Sequence, residues 1–201
     1  ADRVEGRNAS LAIENVPYPL EEISSGYSPV IGIFPKDFSE ILEAVKSKDL
    51  GVTIDFCHLW ITHKTLRRLL CAGNGSQSEE LVTPSDYSGL TSYEADSIKS
   101  FAQDPFKGFV KPLCERIVHL HVADSDGTYV PRRSSVTEGK SLGEGDLDLG
   151  GFAESLRMIE SCSHANRPMM VVVEPREVSF SKPLNSLRSL LRLDELIRKK
   201  R

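Results

Sequence analysis

The sequence predicts an α/β protein built on a parallel sheet, and three observations carry that expectation. Four short apolar segments, 10–14, 51–55, 117–123 and 169–174, alternate with stretches whose apolar residues recur at helical spacing, the pattern of repeated βα units. Each segment ends in chemistry-bearing residues: Glu14, then Asp55 with His58, then His121 with Asp124, then Glu174. The longer connections follow those ends, the side on which parallel α/β folds place their sites.

Taken in order, the chain begins Ala-Asp-Arg and is in its first strand, Ser10-Leu-Ala-Ile-Glu14, within ten residues. That start reads as truncated or processed, with loss of an initiator Met as the plain alternative. Asn15-Val-Pro-Tyr-Pro19 cannot continue as helix, so the Gly-, Ser- and Pro-containing segment to Pro35 is expected to be a long loop. Phe38, Ile41, Leu42 and Val45 then make the stripe of an amphipathic helix, with Asp37 expected as its N-cap. The second strand leads through His58-Leu-Trp-Ile61 to a helix from Lys64, with Leu66, Leu69 and Leu70 on one face and an end at Gly73. Residues 73–91 are turn-rich and read as a solvated loop, less readily as a lid. Helical patterns follow at 93–103 and 105–115.

The third strand, Ile117-Val-His-Leu-His-Val, breaks at Ser125-Asp-Gly127. His119 and His121 share a face, because side chains two apart on a strand point the same way. An isolated H-x-H is more often a pair of core histidines; here the other strand ends change the weighing. Residues 125–149 read as a second long loop carrying Arg132-Arg133, Glu138 and Leu142-Gly-Glu-Gly-Asp146, after which Asp148 caps a helix lined by Phe152, Leu156 and Ile159. The last strand precedes a helix over 183–199 with Leu184, Leu187, Leu191 and Leu196 apolar and a basic end that suits a helix C-terminus. Every stretch is thereby accounted for, and no further strand is expected.

With 201 residues, 39% hydrophobic and 27% charged, the chain is expected to form one domain, 1–201. A net charge of −4 gives no general attraction to nucleic acid or anionic membrane, so nucleic acid is not expected as a partner. Cys57, Cys71, Cys114 and Cys162 contain no C-x-x-C pair and are expected to be free buried thiols. No apolar run approaches the ~18 residues of a membrane span, and no basic-then-apolar leader precedes the first strand. The expectation is a cytoplasmic protein with no membrane partner.

An ionised carboxylate directly after four or five buried apolar residues is costly unless it binds a cation or accepts several hydrogen bonds. Several such strand ends therefore point to one shared polar site. Carboxylate oxygens together with imidazole suit a divalent metal.

Five motifs in order, Ile13-Glu-Asn-Val16, Ile54-Asp-Phe-Cys-His58, His119-Leu-His-Val-Ala-Asp124, Leu142-Gly-Glu-Gly-Asp-Leu147 and Val172-Val-Glu-Pro175, resemble the xylose-isomerase-like barrel superfamily. It holds sugar and sugar-phosphate isomerases and epimerases together with class II apurinic endonucleases. The resemblance implies the C-terminal four βα units of a (β/α)8 TIM barrel, a partial barrel unless a missing N-terminal half or a partner chain completes it. A homo-oligomer is one such completion. It further implies that Glu14, Asp55, His121 and Glu174 hold one divalent ion (Mn, Zn, Co or Mg), that Glu14 and Glu174 also act as acid and base, and that His58 and Glu144 meet substrate. The activity implied is metal-dependent isomerisation or epimerisation of a small sugar or sugar-phosphate-like hydroxy-carbonyl compound. The alternatives are a zinc phosphodiesterase of the apurinic endonuclease type and a non-catalytic relative. Against the endonuclease stands Thr137-Glu-Gly-Lys140, where those enzymes carry an Asp-x-His pair; no histidine occurs between 122 and 163. His121 is expected to be the ligand, since His119 lies two residues, or about 6.6 Å, deeper.

Overall fold

The computed structural model describes residues 11–18, 31–72, 95–127, 138–162, 169–179 and 181–198. Its centre is a parallel sheet of β1 (Leu11–Glu14), β2 (Leu50–Asp55), β3 (Ile117–Val122) and β6 (Met170–Val173), in that order. Among the described residues the helices are α1 (Pro35–Val45), α2 (Phe56–Ala72), α3 (Ala95–Gln103), α4 (Pro105–Leu113), α5 (Leu149–Cys162) and α6 (Leu184–Arg198), with a 3-10 turn at Cys114–Arg116. Among the described residues the sheet does not close, and β1 and β6 are its edges, in keeping with the four-strand reading of a partial TIM barrel.

Strand alternation sorts the side chains onto two faces. Val52, Ile54, Leu120 and Val122 join the aromatic core beneath the helices, where Phe56 meets Phe152 edge-on at 4.7 Å and Phe38 meets Phe109 at 5.3 Å. Seven phenylalanines are buried in this layer, each contributing a few kcal/mol of apolar burial by about 25 cal/mol per Å². The opposite face carries Glu14, Thr53, Asp55, His119 and His121, joined across the register pairs Glu14↔Thr53, Thr53↔His119 and Asp55↔His121. Gly51 lets β2 and β3 approach: a Cβ there would meet the Val118 side chain at 2.6 Å.

Several local expectations are corrected. Asp37 is not the N-cap of α1. The N-cap is Phe34, three residues earlier, with Pro35 at the first helical position, and the Asp37 carboxylate accepts from the backbone N–H groups of Gly32, Ile33 and Phe34 at 3.1, 2.9 and 3.0 Å. From the third helical position the acid reaches back to the N-cap N–H and the two before it, which fixes the chain's entry into α1. The second helix begins at Phe56 rather than Lys64, because the Asp55 carboxylate accepts the His58 N–H at 3.0 Å and so caps it directly at the strand end.

The 125–149 segment is not all loop. A small antiparallel ribbon forms from β4 (Asp124–Ser125) and β5 (Glu138–Lys140), two strands too short to leave a periodic signal. The 73–91 stretch, the end of the second helix at Gly73 and Arg132-Arg133 lie outside the described residues. On α6 the inward residues are Ser189 and Leu193; the stripe of Leu184, Leu187 and Leu191 faces solvent.

The cysteine expectation also fails for two positions. Cys114, closing α4, and Cys162, closing α5, form a disulfide with their Cα atoms 5.8 Å apart, because the two helices pack side by side and end together. Cys57 is free and buried, as expected. Disulfides are rare in reducing cytosol, so this bond counts against the cytoplasmic expectation. Among the described residues no helix is long and apolar enough to cross a membrane.

The bond closes a 48-residue separation, worth about 4 kcal/mol in the chain-entropy model. Cys162→Ser is therefore expected to lower the unfolding midpoint in oxidising buffer by an amount that reductant reproduces in the parent. A midpoint indifferent to both treatments would show that the bond is not formed in solution.

Candidate functional site

At the carboxyl ends of the four strands, Asn15 makes the first fixed point. Its buried amide donates to the Asp55 carbonyl at 3.0 Å and accepts the Asp55 N–H at 2.7 Å, which ties the end of β1 to the end of β2. Glu14 is thereby carried next to Asp55. The Asn15 carbonyl accepts from His58 Nδ1 at 2.8 Å. Because a carbonyl can only accept, Nδ1 carries the proton and Nε2 is turned the other way.

Around this clasp the strand-end side chains converge. His121 Nδ1 lies 3.1 Å from Glu14 Oε1 and 3.2 Å from Glu174 Oε2, so carboxylates from the two opposite edges of the sheet meet at one imidazole. Glu14, Asp55 and His121 each present a ligand atom within 4.8 Å of the others. Glu174 reaches the group through His121. His58 Nδ1 stands 3.6 Å from Asp55 Oδ2 and 3.9 Å from Glu14 Oε1, and its Nε2 stands 3.8 Å from Glu138 Oε2.

Burial pushes the Asp55 carboxyl up to about 6, and the neighbouring Glu14 charge adds to that against the opposing pull of His58 and His121. Three carboxylates around one imidazole form a donor set short of positive charge, and a divalent cation is the species that relieves it. The residues present therefore fit a divalent ion.

Of the two histidines on β3, His121 faces the carboxylates and His119 lies beneath it, ring centroids 4.6 Å apart and nearly perpendicular. His119 Nδ1 meets Thr53 Oγ1 at 3.5 Å, while its Nε2 is buried without a hydrogen-bond partner among the described residues. Burial, then the adjacent His121, lowers its proton affinity.

Glu144 is more than half exposed and pairs with Arg188 of α6 at 3.6 Å; its carboxylate is not drawn into the cluster. Asp124, which the sequence groups with the histidines, is fully buried and holds the loop instead. Its carboxylate accepts from the N–H groups of Ser125, Gly143 and Leu147 at 2.7, 2.7 and 3.0 Å. The G-E-G glycines follow from this clasp: Gly143 adopts φ +92°, and a Cβ on Gly145 would run into the Asp124 carboxylate. Two contributors escaped the sequence reading. Asn15 had only its place after Glu14 to mark it, and Glu138 is brought over His58 solely by the ribbon.

A family model for the xylose isomerase-like TIM barrel matches residues 1–165 of the chain. No curated protein matches it.

The raised Asp55 carboxyl fixes the sign of two pH effects. Unfolded, this acid titrates near 3.8; folded, near 6. The native state thus holds the proton more tightly, and Asp55 increasingly destabilises the metal-free fold as pH rises through that window. Asp55→Asn is expected to raise the melting temperature of metal-free protein at pH 7.5, where the parent acid is ionised, and to leave it nearly unchanged at pH 4. The same variant, and His121→Ala, should lose Mn2+ uptake in equilibrium dialysis, whereas His119→Ala keeps uptake and lowers the melting temperature. Equal loss of uptake at 119 and 121 would contradict the assignment of the ligand role to His121 rather than His119.

Proposed function

Because the chain belongs to the xylose isomerase-like TIM barrel family, which includes sugar isomerases and epimerases as well as apurinic endonucleases, we propose that it isomerises or epimerises a small sugar or sugar-phosphate-like hydroxy-carbonyl compound at a divalent metal held by Glu14, Asp55, His121 and Glu174. The observation that carries the reading is the meeting of Glu14 and Glu174, from opposite edges of the sheet, at the His121 ring. Two carboxylates on either side of one centre are what moving a proton off one carbon and back onto it, or onto its neighbour, demands.

The ion, when bound, polarises adjacent substrate oxygens and lowers the cost of charge developing beside the carbonyl. The chain's own groups divide the remaining work. Glu14 and Glu174 are 37% and 45% exposed in their side chains, open enough to reach substrate; one removes the proton and the other returns it. Asp55, 7% exposed, is anchored by its own N–H on Asn15 and by the cap to His58, so it holds position. His58, its Nδ1–H committed to the Asn15 carbonyl, presents Nε2 as an acceptor for a substrate hydroxyl beside Glu138. Glu144, paired with Arg188 at 3.6 Å, stays outside this group.

The endonuclease reading uses the same four side chains and has less support. The overall charge is −4, and Thr137-Glu-Gly-Lys140 replaces the Asp-x-His pair. The described neighbours of the cluster, Glu138 and His58, add negative charge and one imidazole, a poor surrounding for a phosphodiester.

Solvent-deuterium exchange at the carbon next to the carbonyl, followed by NMR over a panel of aldoses and ketoses with Mn2+-loaded protein, tests the proposal. Glu14→Gln and Glu174→Gln are each expected to slow exchange about 10²- to 10⁴-fold with the backbone fold unchanged. Incision of abasic-site DNA without exchange on any sugar would replace this reading by the endonuclease one; neither activity in metal-loaded protein would leave the non-catalytic relative.

A further inference from the structure

The chemistry proposed above gives Glu138 no task, yet the fold fixes its position from two sides. β5 pairs with β4 through Ser125↔Glu138 and Asp124↔Lys140, and the Gly139 carbonyl accepts the Arg176 N–H at 2.6 Å from the segment after β6. Clamped between the ends of β3 and β6, the ribbon holds the Glu138 carboxylate 3.8 Å from His58 Nε2. The ring is fixed as well, by its Nδ1–H on the Asn15 carbonyl at 2.8 Å. Nε2 therefore carries no proton, and like the carboxylate it can only accept. Two acceptors at this distance do not satisfy each other. The His58 and Glu138 side chains are 21% and 30% exposed, open to a ligand from solvent.

What fits between them is decided by donors. A lone hydroxyl brings one proton and reaches one of the two acceptors, whereas hydroxyls on neighbouring carbons bring two and reach both. An ionised phosphate brings none, and the charge around it is unfavourable. Glu14, Asp55, Glu174 and Glu138 stand about the His58 and His121 rings, so even with a divalent ion seated a surplus of negative charge remains. The described cations nearby are turned elsewhere. Lys140 pairs with Asp126 at 2.7 Å and Arg188 with Glu144 at 3.6 Å. Arg176 lies along Gly139, where an added Cβ would meet its Cγ at 2.9 Å. Like charges brought together in this way select against a phosphorylated partner.

Resting on the isomerase or epimerase reading for the chemistry, we infer that the substrate is an unphosphorylated sugar whose vicinal diol donates one O–H to His58 Nε2 and the other to the Glu138 carboxylate. Glu138 is then a specificity-determining residue. It orients the diol on the side of the His58 ring away from Asp55 and Glu14, and it repels a phosphate from the same place. A carboxylate accepts such an O–H roughly twice as strongly as a neutral oxygen does, so the charge of Glu138 matters as well as its shape.

Isothermal titration of the protein, with Mn2+ present, against ribitol, xylitol and the arabinitols, and against the same pentitols carrying a terminal phosphate, tests the assignment. Pentitols have no carbonyl and are not turned over, so binding is read apart from the proposed chemistry. At least one pentitol is expected to bind about tenfold more tightly than its phosphate. Glu138→Gln is expected to weaken pentitol binding about fivefold, and Glu138→Arg to reverse the preference in favour of the phosphate. Both variants should keep the far-UV circular dichroism of the parent, because the ribbon is held through its backbone. Pentitol binding with these shifts, but no deuterium exchange on any aldose or ketose, would sink the isomerase reading and keep Glu138 as a diol-selecting residue. A phosphate that binds the parent as tightly as its pentitol, a preference unmoved in both folded variants, or no binding of either probe would overturn the inference.

Discussion

Asn15 is a small residue on which much of the site hangs. Its side-chain amide bonds both the N–H and the carbonyl of Asp55, at 2.7 and 3.0 Å, and so joins two strands whose own ladder ends at Glu14 and Thr53. Without it Glu14 would sit on a frayed edge and Asp55 on a strand end with an unpaired buried N–H, an arrangement costing about 1–3 kcal/mol. With it the two acids stand side by side, and the carbonyl left over fixes the protonated nitrogen of His58. One residue thus ties together main-chain geometry, a carboxylate pair and a tautomer.

The same economy recurs below the site. Asp124 gathers three N–H groups and pins the G-E-G loop to the end of β3, while Asp146 of that loop accepts from Trp60 at 2.7 Å and Lys64 at 2.6 Å on α2. The loop is therefore held from the sheet and from a helix, which positions the ribbon that carries Glu138 over His58. Two acids that look alike in sequence divide by environment. Asp124, fully buried, has three backbone N–H groups on its carboxylate. Asp55 has too few, and burial with Glu14 nearby pushes its carboxyl up to about 6.

Two features set the limits of the single chain as a body. The core is well made, with Phe38, Phe56, Phe109 and Phe152 completely buried and α4 stapled to α5 by the Cys114–Cys162 bond. The outer strands, four residues each, pair along one side only among the described residues.

The parallel α/β class, the four strand positions to within one or two residues, and the convergence of Glu14, Asp55, His121 and Glu174 at strand ends are all written in local pattern. Period-2 apolar runs ending in acids can be placed by counting, because strand alternation and βα succession leave few topologies. The helix starts at Pro35 and Phe56 were misplaced because side chains of Asp37 and Asp55 satisfy N–H groups at positions that composition does not distinguish. The ribbon of Asp124–Ser125 and Glu138–Lys140, the Cys114–Cys162 pairing and the outward turn of the α6 leucines were decided only in three dimensions. Each depends on which segments distant in sequence come to lie together, and a strand of two or three residues, a lone thiol or one stripe of leucines carries no local record of its neighbour.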